Sequence, residues 1–278
     1  AVKAADGRLR FSFQWEPSHD LLCTFQGLYS EANPQDLERL FGDDWGFPTA
    51  APDYVFDERG VLVAGTIPDA HLTSNTRFGE QEKNTADYSL GFRLLPGERW
   101  ALSGDVQYVR SNSQVTSLTA FTQLSPPLSS IDFDLRGETP FLDYNNDRIA
   151  DPSAYWWAAA MDHLEDNDAN SWAQRLDAEY SFNEDGLLRS LRFGVRATDK
   201  DAVTRQSGWN WGYLSQQFWC TDIGNCGAPA FLSDAPAGAA EFFPFDNFFR
   251  GVVNHPGVAW LPTVSLVRYA PRNAHGSL

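Results

Sequence analysis

The chain has 278 residues, of which 42% are apolar and 14% aromatic, with ten Trp and one Met. A formal net charge of -16 excludes a protein built to bind nucleic-acid phosphates. No run of the ~18 apolar residues that a membrane helix needs is present. That excludes a helical span but not a β-barrel, whose strands are short and only half apolar.

The first residues lack the apolar stretch of a signal peptide. The first element is a hairpin, "LRFSFQW", "EPSHD", "LLCTFQGLYS". Leu9, Phe11, Phe13 and Trp15 share one face, opposite Arg10, Ser12 and Gln14. After the turn Leu21, Cys23, Phe25, Gly27 and Tyr29 alternate with Thr24, Gln26 and Ser30. Cys23 reads as a small hydrophobe on the apolar face. The second hairpin is "DYSLGFRLL", "PGER", "WALSGDVQYV", with Tyr88, Leu90, Phe92 and Leu94 followed by Trp100, Leu102, Gly104, Val106 and Tyr108. The third runs from Arg175 to Thr198 with "NEDG" at its turn. Leu176, Ala178, Tyr180 and Phe182, then Leu191, Phe193, Val195 and Ala197, form its apolar face. Period-2 alternation bounded by Pro, Gly, Asn and Asp predicts strands and tight turns.

Long segments join the hairpins. Residues 31–84 hold 11 Asp+Glu and 4 Lys+Arg, and residues 111–171 hold 10 and 2. These segments carry almost all of the net charge, which predicts acidic loops between nearly neutral strands. Within them "YVFDERGVLVAG" predicts a small hairpin, and "QVTSLTAFTQ" and "SSIDFDLRG" predict strands that extend beyond a membrane. "DPSAYWWAAAMDHLEDN" predicts a helix, with Asp151 as N-cap and Pro152 at the first position. Cys220 and Cys226 bracket a short loop and are either a local disulfide or two unpaired thiols.

Alternating tight turns and long connections are the pattern of an outer-membrane barrel, with short periplasmic turns and long extracellular loops. Trp15, Trp100, Tyr180 and Phe182 lie near the tight turns, and Tyr29, Tyr88 and Tyr108 at the far strand ends. Two aromatic rows one strand-length apart match the girdles of a barrel. The expected fold is all-β: part of a large antiparallel transmembrane β-barrel, with residues 1–278 as a single segment. The other architecture that fits alternating strands is a soluble β-sandwich, in which turns recur more evenly.

Four separated stretches, "DYSLGFRLLPGERWALSGDVQYV", "DPSAYWWAAAMDHLEDNDANSWAQRLDAEYSF", "LRSLRFGVRATDKDAVTR" and "FDNFFRG", resemble TonB-dependent outer-membrane receptors of the Xanthomonas- and Caulobacter-type group. The resemblance implies a 22-stranded barrel closed by an N-terminal plug domain. It implies uptake energised by the TonB–ExbB–ExbD complex through a TonB box, in the outer membrane of a Gram-negative bacterium. The substrate class it implies is an oligosaccharide, with ferric siderophores as the wider family's alternative. The sequence as given shows neither plug nor TonB box and reads as a middle-barrel segment. A passive porin and a soluble polysaccharide-binding module are the competing functions.

In that frame Arg93, Asp105, Arg175, Asp177, Glu179, Arg192 and Arg196 point into the lumen, and their mixed signs suggest cross-strand ion pairs. The ligand candidates are the aromatic clusters Tyr155, Trp156 and Trp157, and Trp209, Trp211, Tyr213 and Trp219. Aromatic rings stack on sugars, and they also form small cores of their own. Asp143, Asn145, Asp147 and Asp151 are spaced like the start of a calcium loop, but Arg148 stands where that loop needs Gly and Ala154 where it needs Glu. No GxSxG, HExxH, P-loop or CxxC motif occurs, so neither an enzyme nor a cofactor is expected.

Overall fold

The alternating side chains of the three hairpins assemble into one antiparallel sheet in a computed structural model of the chain. The structure describes residues 2–3, 6–43, 51–144, 147–182, 188–215, 228, 230–253 and 258–269. The first strands are β1 (Val2–Lys3), β2 (Asp6–Ser18), β3 (Leu21–Ala32), β4 (Gln35–Asp43), β5 (Val55–Phe56) and β6 (Leu62–Ala70). Next come β7 (Leu72–Leu94), β8 (Trp100–Leu124), β9 (Leu128–Asp134), β10 (Phe141–Asp143) and β11 (Tyr155–Ser181). The last are β12 (Ser190–Gln206), β13 (Asn210–Tyr213), β14 (Ala240–Pro244) and β15 (Val258–Pro262), then a short helix α1 (Val264–Tyr269).

The main sheet joins β1–β4, β7, β8 and β11–β13. β7 serves two partners in succession: its turn-proximal half pairs with β3 and its far half with β4. All pairings among the described strands are antiparallel, and the sheet is open, with β2 bonded only to β3 and β12 only to β11. A four-stranded sheet, β10-β9-β6-β5, continues beyond the far strand ends, and β14 pairs with β15.

Register sorts the near half of the sheet into two chemical faces. One face carries the row Trp15, Cys23, Phe92, Gly104, Leu176, Val195. The next row is Phe13, Phe25, Leu90, Val106, Gln174, Ala197, and the one after is Phe11, Gly27, Tyr88, Tyr108, Trp172, Asp199. Toward the turns the face ends on Trp100, Tyr180 and Leu191, and Trp100 packs on Tyr180 at 4.9 Å. At the other boundary Tyr108 packs on Trp172 at 4.5 Å. One row farther the residues are Leu9, Tyr29, Ala86, Arg110, Asn170 and Asp201, so the apolar character stops there. From Trp100 to Tyr108 is about 27 Å along the strand at ~3.4 Å per residue. The opposite face is mainly polar and charged in this band, with Leu22, Ala101 and Ala173 among its few apolar members.

Among the described residues no core covers the apolar band: Phe13, Trp15, Leu90, Leu176, Phe193 and Val195 are all exposed. The core lies at the other end. Phe41, Leu72, Leu124, Leu128, Ile131, Phe133, Tyr155 and Leu261 are buried together where the long strands meet the small sheets. The C-terminal segment lies on the far half of the same face that is apolar near the turns. Ser74 Oγ donates to Trp260 O (2.8 Å), Thr76 Oγ1 donates to Pro262 O (2.6 Å), and Val267 packs with Phe78, Leu118 and Ala120.

The long connections differ from the expected loops. Most of them continue the hairpin strands: β7 begins at Leu72, β8 runs on to Leu124, and β11 begins at Tyr155. The helix expected over 151–167 is a strand. Its Ala-, Leu- and Glu-rich composition favours a helix, but β8 bonds it along one edge and β12 and β13 along the other. Two flanking ladders outweigh a weak local propensity. Only its start keeps a helical turn, Pro152–Ala154, where the Asp151 carboxylate accepts from Ser153 N at 2.9 Å. The small hairpin at "DERG" forms as β5–β6, with Asp57 Oδ1 accepting from Arg59 N and Val61 N, both at 2.9 Å. Gly60 takes the left-handed conformation there (φ 78°).

Candidate functional site

The seven charged residues expected on one wall do share the polar face. Asp105, Arg175 and Arg196 stand side by side in one row, Arg93 and Asp177 in the next, and Glu179 and Arg192 in the one after. Arg192 Nε meets Glu179 Oε1 at 3.0 Å, and Arg175 Nε meets Asp177 Oδ2 at 2.6 Å. The first pair crosses strands; the second lies within β11. Five of the seven, Arg93, Arg175, Asp177, Glu179 and Arg192, line an open depression of about 510 Å³ with Ser103 and Gly194. All are solvated, so each pair contributes little to stability.

Farther along the same face the chemistry changes to aromatic. Four residues advance from Gln206 to Asn210 while only three advance on β11, from Glu165 to Asp162. This one-residue bulge holds β12 and β13 as a single bent edge. It is pinned by Ser207 N donating to Leu164 O (2.9 Å) and Leu164 N donating to Ser207 Oγ (2.8 Å). Bulges re-aim side chains, and here the result is that Trp211 shares a row with Met161 and Tyr213 with Ala159. The Trp209 ring lies on His163 at 4.2 Å with 16° between planes, and Trp211 on Phe121 at 4.9 Å with 29°. Trp209, Trp211 and Tyr213 are all more than half exposed.

The other aromatic candidates sit differently. Tyr155 and Trp156 are buried, so neither presents a ring to a ligand. Tyr155 OH donates to Ile149 O (2.9 Å), Trp156 Nε1 donates to Gln123 Oε1 (3.3 Å), and Trp157 is half-buried against the core. They form a mini-core because β11 meets the small sheets at this level. Trp219, Cys220 and Cys226 lie outside the described residues, as do Asn145 and the "NEDG" turn.

Sequence reading missed a set of polar groups beside the exposed rings. Asn75 Oδ1, Arg77 Nε, Thr119 Oγ1, Gln123 Nε2, His163 Nδ1 and Asn167 Oδ1 are buried without a hydrogen-bond partner among the described residues, and register places all six residues on the polar face. Nothing in the sequence flags them, because β7, β8 and β11 bring them together only through pairing. Nearby charged groups are engaged. Arg77 Nη2 binds Glu38 Oε2 at 2.9 Å, and Glu165 is held below the usual carboxylate range by His163 (2.9 Å) and by Asn167 (3.0 Å).

Among the described residues no group of three or more His, Cys, Asp or Glu is disposed to hold a metal. The Asp151 carboxylate is engaged with Ser153, which lowers its pKa. The exposed Asp134 is lowered to about 2, by Arg136. In comparison with known proteins the chain matches no family model and no curated protein.

Proposed function

We propose that this chain is a wall segment of a TonB-dependent outer-membrane transporter, with its apolar band in lipid and its charged face toward the lumen. One observation carries the reading: a band about 27 Å long is apolar on one face, bounded by aromatic rows, and covered by nothing among the described residues. That length matches the ~25 Å apolar belt of outer-membrane barrels. A sandwich buries its apolar faces against a second sheet, and the uncovered band speaks against that alternative.

In this reading the open edges β2 and β12 pair with further strands of a barrel, a plug of the same protein fills the lumen, and TonB–ExbB–ExbD supplies the energy. The solute is a scarce one taken up actively. The exposed Trp209, Trp211 and Tyr213 favour an oligosaccharide over a ferric siderophore, because stacking needs no ligand charge. Fractionation of cells expressing the whole protein to which the segment belongs tests the proposal. The expected result is recovery in the outer membrane, with heat-modifiable migration. A soluble, monomeric product that binds no hydrophobic dye overturns it. A porin differs in lacking a plug, so solute flux that persists without TonB separates the two.

A further inference from the structure

We infer that the far end of the polar face is a binding site for a neutral, hydroxyl-rich ligand. Trp209 and Trp211 are its stacking platforms, and Asn75, Thr119, Gln123 and His163 are its hydrogen-bonding floor. This deepens the transport reading by naming its substrate site, and depends on that reading only for orientation.

Three observations meet here. First, each tryptophan has one ring face occupied, by His163 or Phe121, while about half its surface stays open, at 51% for Trp209 and 56% for Trp211. A ring laid flat on a neighbour is fixed in orientation and offers its other side to a planar or weakly apolar surface. Second, Thr119 and Gln123 are each only 2% exposed, and Thr119 Oγ1, Gln123 Nε2, Asn75 Oδ1 and His163 Nδ1 have no hydrogen-bond partner among the described residues. Each such group costs about 1–3 kcal/mol unless something bonds it. The four comprise amide acceptor and donor, hydroxyl and imidazole, a set suited to alcohol groups that both give and accept. Third, Arg77, Thr119, Met161 and Trp211 form one row across neighbouring strands. Thr119 is therefore about 10 Å from Trp211 at ~4.8 Å per strand, a span of disaccharide size.

The charges nearby choose the ligand class. Arg77 is tied to Glu38, so the cation of this set is already paired, and Glu165, hydrogen-bonded by His163 and Asn167, leaves a carboxylate and no free cation beside the rings. An anionic ligand finds no free cation in this set, and nucleotides, which also stack, bring phosphate to an acidic chain. The aromatic floor and the alcohol-matched polar groups together describe a neutral oligosaccharide.

The test is a tryptophan-fluorescence titration of the full chain in a zwitterionic, sugar-free detergent. The probes are maltotriose, xylotriose and cellotriose, with an oligouronate and choline as charged controls. At least one neutral probe is expected to saturate. Trp211→Ala weakens it about tenfold or more, Thr119→Val about fivefold, and Trp211→Phe retains most of the affinity. The girdle variant Trp15→Phe leaves it unchanged. Near-UV circular dichroism reports folding; should Trp211→Ala misfold, Trp211→Phe and Thr119→Val carry the comparison. No saturation by any neutral probe, equal affinity in Thr119→Val, or binding by the charged controls alone overturns the site. A chain that binds the sugar yet stays soluble without detergent overturns the membrane reading and leaves the site standing.

Discussion

Leu176 and Val195 face each other across β11 and β12, yet 55% and 66% of their surface is exposed. Cross-strand partners this apolar normally share a cover. In the middle of the band between the two aromatic rows, lipid is the cover we propose. Val195→Arg therefore places a charge near the bilayer midplane and should cost about 2–4 kcal/mol. Arg196→Lys, one residue on and facing the other way, should change stability by less than about 0.5 kcal/mol. Urea unfolding in lipid vesicles measures both. Equal, small effects would place the band in water or in a tolerant protein interface.

Gly104 lies where three strands press together. A Cβ there would meet Arg175 O at 3.0 Å, Phe92 Cε1 at 2.7 Å and Leu176 Cδ1 at 3.1 Å. One of these is backbone and cannot rotate aside. Gly104→Ala should destabilise by about 1–3 kcal/mol, while Gly7→Ala, with open space around it, should be nearly silent. The same unfolding assay compares the two.

The Glu179–Arg192 pair at 3.0 Å is solvated, with Arg192 the more open partner. A double-mutant cycle with Glu179→Gln and Arg192→Gln should give a coupling of about 0.2–1 kcal/mol, falling further in high salt. A coupling several times larger would mean that this charged face is far drier than its exposure indicates.

Burial pushes the Tyr144 hydroxyl up to about 12, and Tyr155 shifts the same way, also chiefly through burial. Below about pH 10 both are neutral whether folded or unfolded, and stability is unaffected. Between about 10 and 12 the unfolded chain ionises while the folded one does not. Stability should then fall with rising pH by about 1.4 kcal/mol per unit for each tyrosine. Tyrosinate absorbance followed alongside unfolding checks this. Tyr144→Phe should remove part of the slope.

The near half of the sheet was legible because each hairpin has one wet and one apolar face, so alternation survives in the letters. The far half was not. Around Ala158–Met161 both faces are buried, and a doubly buried strand of Ala and Met has no alternation to display. That is why Tyr155–Asn167 reads as a helix. The aromatic candidates were visible as letters, but which rings open to solvent depends on a bulge at Ser207 that pairing alone reveals. Thr119 and Gln123 were invisible for a related reason: polar residues in a strand look solvated until a register puts them beneath neighbours.

β7, β8 and β11 contain 23, 25 and 27 residues. At ~3.3 Å per residue they reach about 75–90 Å, roughly three times the length of the apolar band. From Trp172 to Met161, beside Trp211, is about 36 Å along β11 by the same rise. In the proposed orientation the sheet acts as an antenna. It intercepts its solute well outside the headgroups, and the same unbroken strands then lead from the point of capture down past Glu165 to the charged rows of the pore.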